Sequence, residues 1–237
     1  MTLTGKAKWS LTFWVCVAPQ LAHPSRIMHG KIVDPGQYPE VVEIKTDDGD
    51  CTATFISPRV LATAAHCGAD QSTVRLLYKG NTYSAKVTHA PPPSDFALAL
   101  VDHDLADVAP TNIGFKPKVW REVDLLGYGC TGMGEGGASD GKLRVGVSRI
   151  VELNENEIVS HVVGFAGAVL CCGDSGGPTY QTDWGRRYLV GVHSQGNLKD
   201  TNYDARLDTT AIIAFLKEFA RKNHTPICGL DSTCGTL

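Results

Sequence analysis

The chain has 237 residues, of which 43% are hydrophobic and 20% charged, a balance that suits one large globular domain or two half-domains sharing an interface. Its 22 basic and 25 acidic residues leave a formal charge of -3, which argues against the broad cationic footprint of a nucleic-acid-binding surface. No apolar run reaches the roughly 18 residues that a membrane-spanning helix needs, and the dispersed glycines and prolines suit many short strands joined by tight turns.

At the N-terminus, Lys6 and Lys8 precede an apolar stretch from Leu11 to Ala18, and the small residue Ala22 follows. That is the layout of a secretory signal over residues 1–22, too short in its apolar part to anchor in a bilayer. It implies a secreted or periplasmic protein with no membrane association. Removing it leaves seven cysteines, at 51, 67, 130, 171, 172, 228 and 234. An oxidising compartment turns these into disulfides rather than metal ligands, and neither a metal nor a cofactor is expected. Cys51 and Cys67 flank TATFISPRVLATAA and can meet across a hairpin; Cys228 and Cys234 close a short loop near the tail. The pairing of Cys130, Cys171 and Cys172 stays open, with one thiol of the odd seven left over.

From Val41 onward the apolar periodicity is mostly two. VVEIKT, TATFI, RVLATAA, TVRLLYK, FALALV, EVDLLGYG and RYLVGVHS alternate or run apolar between Gly, Pro, Asp and Asn clusters, the signature of antiparallel barrels or sandwiches. Asp47-Asp48-Gly49-Asp50 reads as a solvated turn, and Gly132 to Gly141 as a glycine-rich surface loop. One helix is expected, from Thr209 to Asn223. It carries Ile212, Phe215, Leu216 and Phe219 on one face, is capped by Asp208 or Thr209, and is followed by Pro226.

Three short strings carry chemistry. Thr63-Ala64-Ala65-His66-Cys67 places a histidine after a small-residue strand, Asp95 heads the apolar run Phe96-Ala97-Leu98-Ala99-Leu100, and Gly173-Asp174-Ser175-Gly176-Gly177-Pro178 sets a serine in a turn between glycines. A serine hydroxyl is a poor nucleophile without a base in reach and an acceptor behind that base. Glycines beside it let backbone N–H groups approach a reacting carbonyl. Residue types for all three roles are present, with Asp102 and Asp104 as rival carboxylates.

TAAHC and GDSGGP resemble, letter for letter, the two signature strings of the chymotrypsin-like (trypsin-fold) serine peptidases, and the similarity extends from Ile27 to about Asn223. The resemblance implies an all-β fold of two six-stranded antiparallel β-barrels with a C-terminal α-helix. The peptidase domain would cover residues 27–237, its halves meeting near 110–120. It also implies the disulfide Cys51–Cys67. Ser175 would be the nucleophile, His66 the general base and acid, and Asp95 the residue that orients the imidazole. The N–H groups of Gly173 and Ser175 would bind the oxyanion. Arg26-Ile27-Met28-His29-Gly30 resembles the family's activation junction. Residues 23–26 would then form a short propeptide, cut after Arg26 by an activating protease so that the Ile27 ammonium pairs with Asp174.

In the primary pocket, the family's floor position falls on Val169, six residues before Ser175, followed by Leu170 and with Cys172 at the rim. Valine cannot pair with a charge, so a basic side chain is disfavoured and small or medium apolar residues are expected, unless Asp200 or Asp204 points inward. Ser194-Gln195-Gly196 resembles the strand that pairs with an extended polypeptide substrate. The short spacing between His66 and Asp95 leaves out the loop that binds calcium in trypsins. The function implied is a secreted, monomeric serine endopeptidase made as a zymogen. The alternatives are a non-catalytic relative that binds a partner and a cysteine hydrolase using Cys171 or Cys172.

Overall fold

The computed structural model describes Ile27 and residues 30–130, 139–164, 167–231 and 234. Residues 1–26, which include the expected signal segment and Arg26, together with Met28, His29 and most of the glycine-rich loop, lie outside the described residues.

Thirteen strands and one helix are present among the described residues. The first barrel is made of β2 (Val41–Thr46), β3 (Gly49–Ser57), β4 (Val60–Thr63), β5 (Thr73–Tyr78), β6 (Asn81–His89) and β7 (Ala97–Val101), closed in the order β2-β3-β4-β7-β6-β5. The second is made of β8 (Glu122–Gly127), β9 (Arg144–Leu153), β10 (Glu157–Val162), β11 (Pro178–Asp183), β12 (Arg186–Gly196) and β13 (Thr201–Arg206). It runs β9-β10-β13-β12-β11-β8 and closes through β8–β9. β1 (Lys31–Ile32) adds to the outside of β9. Closing both sheets removes their edges, and the strand pairs within them are antiparallel. The two-barrel architecture implied by the resemblance is the one found.

The first barrel forms because its strands bury nearly every apolar position. Phe55, Ile56, Leu61, Phe96 and Leu98 are fully enclosed, each contributing about 1.5–3 kcal/mol through loss of water contact. The turn at Asp47 and Asp48 is exposed and joins β2 to β3 as a two-residue hairpin. The second barrel has a smaller apolar cluster of Ile27, Val123, Leu125, Ile150, Ile158, Ala168, Leu170 and Val190. It also contains buried polar groups, among them Ser148, Asp174, His193, Asn202 and Asp204.

The helix, α1 (Thr210–Asn223), starts one residue later than expected. Thr209 caps it by accepting from the Ile212 N–H, and His224 ends it in a left-handed conformation. Ile212, Leu216 and Phe219 pack into the same cluster as the first barrel's core, and Phe215 meets Phe96 edge-on. The helix therefore crosses back from the second barrel to the first. Cys228 donates its N–H to Ile56, and its carbonyl accepts from Ile113, so the tail is tied to both the first barrel and the inter-barrel connection.

Candidate active site

Strand pairing brings the histidine and the aspartate together. β4 and β7 are antiparallel, with Thr63 opposite Ala97. The residues just beyond the end of β4 therefore lie beside those just before β7. A short 3-10 turn, Ala65–Cys67, swings His66 out of the strand direction. Its ring Nδ1 then sits 2.7 Å from Asp95 Oδ2, and its backbone N–H donates to Asp95 Oδ1 at 3.0 Å. Ser194 donates its hydroxyl to the same Oδ2 at 2.6 Å. Burial alone would raise the Asp95 carboxyl, but the hydrogen bonds and charge from His66 and the hydrogen bond from Ser194 hold it below its ordinary value. The rivals fail on geometry: Asp102 is exposed and pairs with His103, and Asp104 is exposed beside Arg59.

The serine arrives from the second barrel, just before β11. Its carbonyl accepts from the Thr52 N–H of β3 at 2.8 Å and lies 3.6 Å from Cys67 Sγ. Ser175 thus sits against the Cys51–Cys67 disulfide, and His66 adjoins that same bridge, its ligand nitrogen lying within 4.8 Å of both sulfurs. Because those sulfurs are bonded to one another, they are not available as thiolate metal ligands. Gly176 has φ +81°, and a Cβ there would lie 2.1 Å from Thr63 Oγ1 and 2.3 Å from the Thr52 carbonyl. Only glycine lets the serine turn come this close to the first barrel.

Thr52 is a connecting residue that the sequence pattern does not single out. Fully buried, its hydroxyl donates to the Gly173 carbonyl at 2.8 Å and accepts from the Tyr128 N–H at 3.1 Å. Its N–H holds Ser175, as above. Two polar threonines inside TATFI, where the strand is otherwise apolar, are the signal that marks it. The N–H groups of Gly173 and Ser175 make no hydrogen bond among the described residues, and both point-of-attack neighbours are therefore unengaged donors.

Asp174 is completely enclosed. It accepts from the Cys171 and Gly129 N–H groups, each at 2.9 Å, and burial pushes its carboxyl up to about 6. Ile27 is also fully buried, in the second barrel's apolar cluster, with its carbonyl accepting from Gly30.

Val169 is fully buried, Leu170 nearly so, and Cys172 exposed. Gln195 is exposed and Gly196 half-buried, so the Ser194–Gly196 strand has an outer edge. Cys130 pairs with Cys171 and Cys228 with Cys234. Cys172 is also disulfide-bonded, and no described cysteine is free. The left-over thiol expected from the count is thus not found among the described residues, and a thiolate nucleophile at Cys171 or Cys172 has no support. Asp200 binds Asn197 and Thr201 at the surface. Asp204 does point inward, but it is already paired with His193 at 2.7 Å.

A two-barrel fold with a histidine, an aspartate and a serine-bearing glycine turn at the junction of the barrels defines a chymotrypsin-like peptidase domain. The sequence model of the trypsin family matches residues 27–212, and the chain belongs to that family. Among solved structures, one titled as the crystal structure of the Rv3671c protease in an inactive form is similar in fold, with a TM-score of 0.57 and 22% identity over 77% of this chain and 90% of that chain. No curated protein sequence matches. No helix among the described residues is long and apolar enough to cross a membrane.

Proposed function

We propose that this protein is a secreted serine endopeptidase that hydrolyses peptide bonds through an acyl-enzyme on Ser175. The observation that carries the reading is the double grip of Asp95 on His66, through both the ring and the backbone. It commits Nδ1 to the carboxylate and leaves Nε2 as the nitrogen able to take a proton. A polypeptide lying extended along Ser194–Gly196 presents its scissile carbonyl to Ser175. The hydroxyl oxygen attacks the carbonyl carbon as His66 Nε2 takes the proton, and Asp95 stabilises the imidazolium. The negative charge developing on the carbonyl oxygen is met by the N–H groups of Gly173 and Ser175; one such donor contributes about 3–4 kcal/mol in this chemistry. His66 then returns its proton to the leaving amine as the carbon–nitrogen bond breaks. A water attacks the ester by the same route, with His66 again taking and returning one proton, and the free acid departs.

The same reading makes the chain a zymogen. Cleavage after Arg26 by another protease would free the Ile27 ammonium, and pairing it with the enclosed Asp174 would fix the turn that carries the oxyanion donors. The disulfides Cys51–Cys67, Cys130–Cys171 and Cys228–Cys234 support an oxidising, extracellular or periplasmic setting. The floor residue Val169 supplies no charge for a lysine or arginine side chain.

The test is labelling with a fluorophosphonate probe. Protein cleaved after Arg26 should label, and Ser175→Ala, Asp95→Asn and uncleaved Arg26→Gln protein should label slowly or not at all. Cleaved wild-type protein that never labels would overturn the proposal.

A further inference from the structure

The tryptophans of the chain are Trp9, Trp14, Trp120 and Trp184, so only the last two lie beyond Arg26. Tryptophan is highly buried on average in folded domains. Neither ring serves the core here: Trp120 is 71% exposed and Trp184 fully so. Both also stand where the backbone favours glycine. Trp184 and Gly185 make the two-residue turn between Asp183 and Arg186, with φ of +53° and +74°, a hairpin turn that asparagine-glycine suits. Trp120 is the third residue of the turn that the Arg121 N–H closes on the Lys118 carbonyl. Its φ is +68°, where glycine is the usual occupant. A bulky side chain in the left-handed region is strained, and neither indole gains burial that offsets the strain.

The two turns are clamped together. Asp183 accepts from Lys118 at 2.9 Å and from Arg121 at 3.0 Å. Arg121 also donates to the Thr182 carbonyl, and Gln181 accepts from the Lys118 N–H at 2.9 Å. Trp120 therefore lies between two residues bound to the one that precedes Trp184, and the indoles occupy neighbouring turns of the second barrel. Val119 is exposed beside them, as are the cations Lys116, Lys118, Arg121 and Arg186. Within residues 116–121 and 182–186, Asp183 is the sole carboxylate against those four cations, on a chain whose formal charge is -3. Aromatic tips among cations match the surface of an anionic bilayer: indoles settle at the level of the headgroups, and Lys and Arg gain from the negative surface potential. Turn tips project outward and enclose nothing, which suits entry between lipids rather than the concave site that a small ligand needs.

We infer that these two turns form a membrane-docking surface, at which Trp120 and Trp184 enter the headgroup layer of an anionic phospholipid bilayer while Lys116, Lys118, Arg121 and Arg186 meet its phosphates. Peripheral attachment of this kind needs no spanning segment, and it departs from the expectation of no membrane association. The strain at the two turns is retained because it aims the rings outward. An aromatic signal and a basic one act together, and the attachment they give is reversible. The inference does not rest on the hydrolase reading, since no residue of the triad takes part.

The test uses protein cleaved after Arg26, which removes the apolar stretch from Leu11 to Ala18 and leaves Trp120 and Trp184 as the only tryptophans. Co-sedimentation is measured with vesicles of phosphatidylcholine alone and of phosphatidylcholine mixed with phosphatidylglycerol. The mixed vesicles should bind the protein, shift its tryptophan emission to the blue and, when the lipid is brominated, quench it. Ser175→Ala protein should behave identically. Trp184→Asn and Trp120→Gly, which suit their turns, should each weaken binding about tenfold or more, through the apolar area that an indole buries. Neither should lower the thermal midpoint. Lys116→Gln or Arg186→Gln should weaken binding about fivefold, a difference that high salt removes. Binding that persists in the double variant Trp120→Gly with Trp184→Asn overturns the inference, as does emission that brominated lipid leaves unquenched or equal affinity for the two vesicle types. A midpoint that falls in either tryptophan variant would give that indole a structural role and also overturns it. So does failure to bind any vesicle; retention on a sulfated polysaccharide in that case would assign the surface to a glycan.

Discussion

Asp95 Oδ2 accepts two hydrogen bonds at once, from the His66 ring at 2.7 Å and from the Ser194 hydroxyl at 2.6 Å. The second bond fixes the oxygen that fixes the ring. Asp95→Asn keeps the shape but reverses the donor sense at Nδ1, and kcat should fall by about 10⁴. Ser194→Ala leaves the carboxylate intact and removes one charge-assisted bond, so a loss nearer tenfold is expected, from about 1.5 kcal/mol. Steady-state kinetics on titrated enzyme separates the two. Equal losses would mean that Ser194 does more than hold Asp95.

The serine turn tolerates no side chain at Gly176, because a Cβ would fall within 2.3 Å of both Thr63 Oγ1 and the Thr52 carbonyl. Gly176→Ala combines that clash with a left-handed φ of +81°. It should destabilise the domain by about 3 kcal/mol or more. The mutant's thermal midpoint, compared with wild type, checks this; an unchanged midpoint would show that the two barrels can separate locally at little cost.

Asp174 gives the uncut chain a pH signature. Its folded carboxyl is raised by burial from an ordinary 3.8 to about 6, so the folded state binds a proton that the unfolded state releases. The contribution is fully present below about pH 4 and is lost as pH rises through 6, a span worth roughly 3 kcal/mol for two units. In Arg26→Gln protein, held uncut, unfolding free energy should therefore decline between pH 5 and 7. In protein cleaved after Arg26, an Ile27 ammonium at Asp174 would favour the anion and flatten or reverse the slope. Denaturant titrations of the two forms across this range measure it, and parallel curves would argue against the pairing.

Much of this was legible in the sequence because the first barrel is conventional in its chemistry. β2 is VVEIKT to the residue, and the helix face was readable from its spacing. His66, Asp95 and Ser175 stood out through TAAHC and GDSGGP, where residue type and setting coincide. What escaped was polar and buried. β13, TNYDAR, has no apolar alternation, because Asn202 and Asp204 point inward to hydrogen-bond partners supplied by distant segments. β6, NTYSAKVTH, carries only Tyr83, Ala85 and Val87 on its inner face and is not among the runs that the apolar pattern picks out. His193 sits inside an otherwise apolar strand and its partners lie 14 and 11 residues away, so no local pattern marks it.

Arg144 is the largest fully buried side chain among the described residues. Its partner, Asp140, meets it with two parallel hydrogen bonds of 2.8 and 2.7 Å. Arg144 stands opposite Gly127 on β8, and a Cβ at Gly127 would touch the Asp174 carboxylate. The guanidinium therefore emerges on the face of the sheet where Asp174 lies. Hydrogen bonding to Arg144 holds the Asp140 carboxyl down at about 2. Because that value is depressed, the stability it confers is present above about pH 4 and disappears as pH falls through 2. Asp140→Asn removes the anion and leaves the cation enclosed. Breaking a buried pair typically costs about 3–5 kcal/mol, and the partial exposure of Asp140 argues for the lower part of that range. Asp140→Asn should thus lower the thermal midpoint at pH 7. It should also shift the acid-unfolding midpoint upward, since at neutral pH it already lacks what wild type loses only in acid. Replacing both members, Arg144→Met with Asp140→Asn, should recover much of the loss, because the cost comes from an unpaired charge rather than from missing volume. A double variant no better than Asp140→Asn alone would mean that Arg144 is needed in its own right on the Asp174 face.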